Sequence, residues 1–128
     1  MVRCSGPHPL LQEARACGNL GVSLMRSLRY SEAEESHLQH LAMAEELGEE
    51  VDEMTARANV GRTLALQSRF EEALLQHADH LSTAGAVLQR ANDAAAGSMV
   101  AGDIVFLRRH VRLALSDMGR ALTAWKNA

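Results

Sequence analysis

The sequence predicts an all-α fold, an α-α superhelix built from about three stacked antiparallel helix pairs. Three observations predict it. The chain repeats itself at an offset of 40 residues. Each repeat divides into two stretches with apolar residues at helical spacing. Beyond Pro9 there is no proline among the remaining 119 residues, and Ala and Leu dominate, so long helices meet no breaker.

The repeat is read by laying residues 14–44 over 54–84, where eleven of 31 positions are identical without a gap. The matches include Asn19/Asn59, Gly21/Gly61, Leu24/Leu64, Arg29/Arg69, Ala33/Ala73, His37/His77, His40/His80 and Ala44/Ala84. Leu20/Val60 and Tyr30/Phe70 are close replacements. A period of this size marks stacked supersecondary units. A third copy at the same offset is faint. It has Ala96, Val100, Ala101, Ile104 and Ala124 at the small or apolar positions, Ala101 for the glycine and His110 for the aromatic residue. Terminal units are often atypical because they face solvent.

Each unit reads as a helix A and a helix B. The first helix A covers residues 10–27, with Cys17, Leu20, Gly21 and Leu24 on the face expected to meet helix B. Ser31-x-x-Glu34 reads as a capping box at the start of the first helix B, and Gly48 as its C-cap. The second pair is expected at about 51–67 and 71–89, and the third at about 93–108 and 111–126. Residues 1–9 are read as a disordered N-terminal segment and 10–128 as one domain, with repeats at about 10–49, 50–90 and 91–128. Glycine inside a helix costs up to ~1 kcal/mol against alanine, so its recurrence at one point implies close packing there. Ala33/Ala73 and Ala44/Ala84 are expected to serve the same purpose.

Charge and chemistry narrow the function. A net charge of −3 and a pI of about 6.0 give no reason to expect nucleic acid. The charge is uneven: residues 1–100 carry a net −6 and residues 101–128 a net +3. No apolar run approaches the roughly 18–20 residues of a membrane span, and the first residues lack the apolar core of a signal peptide. With Cys4 and Cys17 as the only cysteines, a reducing compartment fits, cytoplasmic or nuclear. His37-x-x-His40 and His77-x-x-His80 have the spacing of metal ligands on a helix, but each pair lacks a convincing third ligand and their recurrence favours packing. The acidic run from Glu45 to Glu53 lacks the ligand spacing of a calcium loop and reads as a solvated cluster at a helix start. No phosphate loop, nucleophile elbow or Cys-x-x-Cys occurs. A non-catalytic role without a cofactor is expected.

Leu20-Gly21, Leu24, Tyr30 and Ala33, recurring as Val60-Gly61, Leu64, Phe70 and Ala73, resemble the core pattern of the tetratricopeptide repeat family. The phrases Glu13–Gly21 and His37–Gly48 are similar to the extended repeats of the G-protein-signalling modulators. That resemblance implies a right-handed superhelix whose A helices line a concave groove for a peptide. It places Arg15, Asn19, Val22 and Arg26 of the first unit, and Asn59 and Arg62 of the second, on the groove side. Arg15, Asn19, Arg26, Asn59 and Arg62 are therefore the expected partner-binding residues. Asn both donates to and accepts from a peptide backbone, and Arg forks a carboxylate, so an acidic peptide is the expected partner. The carboxylate-clamping variant of the family is not expected, since Gly18, Val22, Ala95 and Met99 stand at its other clamp positions. In the last helix, Val111, Leu115, Met118, Leu122 and Trp125 form a heptad-like stripe, expected either to pack internally or to join two copies of the chain.

Overall fold

The computed structural model describes residues 9–94 and 101–128. The described residues form five helices and no strand: α1 (Pro9–Arg26), α2 (Tyr30–Leu47), α3 (Glu50–Leu66), α4 (Phe70–Ala94) and α5 (Ala101–Lys126). None is long and apolar enough to cross a membrane. Most of residues 1–9 lie outside the description, as do Ala96 and Val100. Pro9 is the first residue of α1, the helical position that needs no backbone N–H.

The helix ends follow local chemistry. Gly48 closes α2 in the left-handed conformation (φ 68°), with Gly48 N–H donating to Glu45 O at 3.2 Å and Glu49 N–H to Ala44 O at 2.9 Å. Glu50, Asp52 and Glu53 place negative charge at the start of α3. The expected capping box is absent. Arg29 caps α2 without a side-chain hydrogen bond, so Ser31 already lies inside the helix. Glu34 instead accepts from Gln67 at 2.9 Å and from Arg69 at 2.7 Å, tying α2 to the α3–α4 turn. The turns after α1 and α3 repeat each other. Leu28 and Ser68 both have positive φ (62° and 61°), and Arg29 N–H and Arg69 N–H donate to Leu24 O and Leu64 O at 2.9 Å.

Neighbouring helices pack in order, α1 on α2, α2 on α3, α3 on α4 and α4 on α5, while α3 also touches α1 and α5. The core is built from small residues, with Ala14, Ala33, Ala44, Ala56, Ala73 and Ala84 wholly buried. Between α3, α4 and α5 it thickens around Met54, Ala84, Ala91 and Leu107. Gly21 of α1 lies on the imidazole of His37, and Gly61 of α3 on that of His77: a Cβ on either would fall 2.5 Å from Cε1. Gly18 abuts His40 in the same way, at 2.6 Å from Nδ1. His37, His40 and His77 are packing residues, seated where the opposite helix has no side chain, whereas His80 faces His110 of α5.

The expected facing of α1 is partly overturned. Gly21 does meet α2, but Leu20 is 54% exposed whereas its counterpart Val60 is 1% exposed. The reason is position in the stack. α3 has α2 before it, while α1 has no preceding helix among the described residues. Gly18 and Gly21 meet His40 and His37 of α2, Cys17 Sγ donates to Gln39 Oε1 of α2 at 3.7 Å, and the buried residues of α1 are Leu11, Ala14, Gly18 and Gly21.

The last third also differs. A break was expected between residues 108 and 111, but α5 runs through it as one helix. No turn residue occupies Arg109-His110-Val111, and His110 Nδ1 lies 3.0 Å from Nε2 of His80 on α4. α5 matches α3 at an offset of 58, not at a further 40. Ala56, Gly61, Arg62 and Leu64 recur as Ala114, Gly119, Arg120 and Leu122, with Asn59 and Val60 becoming Asp117 and Met118. The contacts agree: His40 of α2 meets Asp52 of α3, and His80 of α4 meets His110, 58 residues after Asp52.

Candidate functional site

α1, α3 and α5 form one side of the molecule, and two hollows lie along it. The first, of about 390 Å³, is lined by Arg15, Gly18, Asn19 and Val22 of α1, by Val51, Asp52, Thr55 and Asn59 of α3, and by His40 at its base. Arg15 and Asp52 span it. Arg15 Nε donates to Asp52 Oδ1 at 3.1 Å and Nη2 to Oδ2 at 3.0 Å, a two-pronged pair. His40 Nε2, also buried, donates to Asp52 Oδ1 at 3.1 Å. Burial works against the Asp52 carboxylate, but the hydrogen bonds from Arg15 and His40 hold its pKa below the ordinary value. The base of the hollow is therefore a fixed anion under a half-exposed cation.

The second hollow, of about 320 Å³, is more apolar. Met25, Ala65, Leu66, Ala121 and Ala124 form its walls, and Arg62, His77, Asp117 and Arg120 its polar end. Arg62 Nε donates to Asp117 Oδ2 at 3.1 Å, and Arg62 Nη1 to Asn59 Oδ1 at 3.3 Å. Arg120 Nη1 stands 3.7 Å from the same buried carboxylate, and His77 Nδ1 4.0 Å from it. Burial lowers the His77 pKa, against the opposing pull of Asp117. Thus Arg15–Asp52 and Arg62–Asp117 repeat one device, an arginine from one helix of the row holding a buried aspartate of the next.

Of the residues expected to bind a partner, Arg15, Asn19 and Asn59 share the first hollow. Arg62 lies in the second, bridged to the first through Asn59. Arg26, exposed at the end of α1, lines neither. Asn19 is exposed, and its amide bonds to no side chain among the described residues.

Two residues of this side escaped the sequence reading. Asp52 was absorbed into the acidic run, yet it lies in line with buried Ala56 and Thr63 and half-buried Asn59, spaced 4, 3 and 4. That spacing was the available signal. Asp117 sits in Asp-Met-Gly-Arg, the echo of Asn59-Val-Gly-Arg62, which a search at an offset of 40 passes over. Among the described residues no three His, Cys, Asp or Glu side chains are placed to hold a metal ion. His37 and His40 rest on separate glycines, and neither ring nitrogen of His37 has a hydrogen-bond partner among the described residues.

No protein-family model matches the sequence, and no curated protein or solved structure gives a significant match.

Proposed function

We propose that this chain is a non-catalytic adaptor of tetratricopeptide type, which holds a peptide segment of a partner protein against the row α1, α3, α5. The observation that carries this reading is the first hollow. It combines a half-exposed arginine, two asparagine amides and a threonine hydroxyl on adjacent helices. Asn19 offers both a donor and an acceptor to an extended backbone, and each such bond is worth about 1 kcal/mol net. Arg15 uses two of its five donors on Asp52, which leaves the outward ones for a carboxylate of the peptide. The second hollow has room for an apolar side chain beside it.

The repeat class is supported by how the helices meet. Gly18 meets His40 while Gly21 meets His37, so α1 and α2 run antiparallel, and Gly61–His77 repeats the contact one unit later. On this reading α5 is the A helix of a third unit.

The test is an array of acidic peptides probed with the wild-type chain, then with Arg15→Ala, Asn19→Ala and Asn59→Ala. Peptides held by wild type should lose roughly fivefold in affinity with each asparagine change, since one lost bond is about 1 kcal/mol. Undiminished capture by the triple variant, with helicity intact, would rule the groove out.

A further inference from the structure

We infer that the outward face of α5 is an acceptor for an acidic amphipathic helix, whose side chain seats on Gly119 as His37 seats on Gly21. This goes beyond the peptide groove. Gly119 lies two residues from Asp117, about 200° round the helix from it.

The molecule contains the template for this contact. Gly21 and Gly61 each have an imidazole of the following helix pressed into the space a Cβ would need. Gly119 is the matching position of α5, in Met118-Gly119-Arg120 against Val60-Gly61-Arg62. Among the described residues nothing lies within 4 Å of a Cβ built there. The surrounding apolar residues are uncovered too. Leu122 is 52% exposed where its counterpart Leu64 is 3%, and Leu115 is 53% exposed. On α3 the matching Leu64 is covered by Ala73 of α4, a cover that Leu122 lacks.

Two shallow hollows lie along α5, one before and one after Gly119 in the sequence. Leu88, Val105, Arg108, Val111 and Arg112 line one of about 380 Å³, and Leu122, Trp125 and Lys126 line one of about 340 Å³. Their rims are cationic: Arg108, Arg112 and Lys126 are exposed, and none of them has an ion pair among the described residues. Charge therefore selects the occupant. The helix that fills the equivalent seat in the first unit, α2, carries five glutamates and no lysine or arginine. An acidic helix with a medium-sized side chain facing Gly119 and apolar residues a turn away on either side meets every feature of this surface.

The experiment titrates the intact chain with a synthetic peptide of residues 30–48, the sequence of α2 with its capping glycine. Fluorescence of Trp125, the single tryptophan, reports binding, and sedimentation reports assembly. Saturable 1:1 binding is expected, weakened roughly tenfold between low salt and about 0.5 M. Gly119→Leu should abolish it while leaving the melting temperature unchanged or raised, because the site is open and glycine is a poor helix former. Arg112→Glu should weaken it without unfolding the chain. Failure of wild type to bind, or equal binding by Gly119→Leu, would overturn the proposal. Binding indifferent to salt would overturn the acidic character of the occupant. Dimerisation of the chain alone, lost in Gly119→Leu, would assign the face to a second copy instead.

Discussion

Gly21 and His37 occupy one packing site between them: the glycine supplies the hollow and the imidazole fills it, with His37 wholly buried. The same relation holds between Gly61 and His77, 40 residues on. Alanine is the better helix former at both glycines by about 1 kcal/mol, so a propensity argument alone predicts stabilisation. The structure reverses the sign. An added Cβ would stand 2.5 Å from a ring atom, and overpacking costs about 1–3 kcal/mol. Gly21→Ala and Gly61→Ala are expected to lower the melting temperature by roughly 3–10 °C. Gly85→Ala, where nothing among the described residues lies within 4 Å, should raise it slightly. Thermal melts of the three variants followed by circular dichroism decide between the two arguments.

Acid should loosen the chain well before its carboxylates protonate. Burial, aided by neighbouring cationic groups, lowers the pKa of His37 and of His80 from 6.5 to about 4, and burial also lowers those of His77 and His110. Between about 4 and 6.5 the unfolded chain binds more protons than the folded one. Stability is therefore full above 6.5 and falls as the pH drops through that window. The slope is about 1.4 kcal/mol per pH unit for each histidine held neutral. Denaturant midpoints measured from pH 7.5 to 4.5 should fall steeply below 6.5. His37→Leu removes a buried ring with no hydrogen-bond partner among the described residues, and should flatten the slope with little change at pH 7.5. A flat profile in wild type would contradict the buried, neutral state of these rings.

Asp117 is the anchor of the second hollow. Its side chain is 2% exposed and faces Arg62, Arg120 and His77. Asp117→Ala leaves the half-buried Arg62 without its partner and is expected to cost about 3 kcal/mol. It should also lower the His77 pKa further, since Asp117 is what raises it. The His77 ring protons, followed by NMR against pH, give the second readout. An unchanged His77 titration would mean that the 4.0 Å approach carries no energy.

The turns give an opportunity to stabilise the fold. Leu28 and Ser68 hold the left-handed conformation that favours glycine, and Leu28 is 71% exposed, so its side chain contributes little packing. Leu28→Gly and Ser68→Gly are each expected to gain about 0.5 kcal/mol after the added freedom of the unfolded chain is subtracted. A loss of stability at Leu28→Gly would show that the exposed leucine packs in solution.

Helix class and the first four helices were legible because two strong copies repeat without a gap, and because Gly21/Gly61 and His37/His77 recur together. The seating of one on the other was not legible, since periodicity places residues on faces but does not pair them. Leu20 was misplaced for a related reason: its spacing matches that of Val60, and only the stack shows that one is covered and the other is not. The α5 register failed because Ala114 to Leu122 match Ala56 to Leu64 at an offset of 58, which a comparison at 40 passes over. Arg15 and Asn19, expected on the groove side, line the first hollow together with residues of α3. Their neighbour Asp52 was missed because burial of one carboxylate within an acidic run needs the arginine and histidine from two other helices to explain it.

α3 is the one element that touches all four others among the described residues, while α1 and α5 each rest on two. Opening should therefore begin at the outer helices and reach the middle last. Amide hydrogens of Ala58 to Leu64 should be the slowest to exchange, and those of α1 and α5 should escape through smaller, separate fluctuations. Proteolysis that removed α5 would leave α1 to α4 still joined through α3. A change that melted α3 would leave two helical hairpins with nothing between them, and the hollows on either side would vanish together.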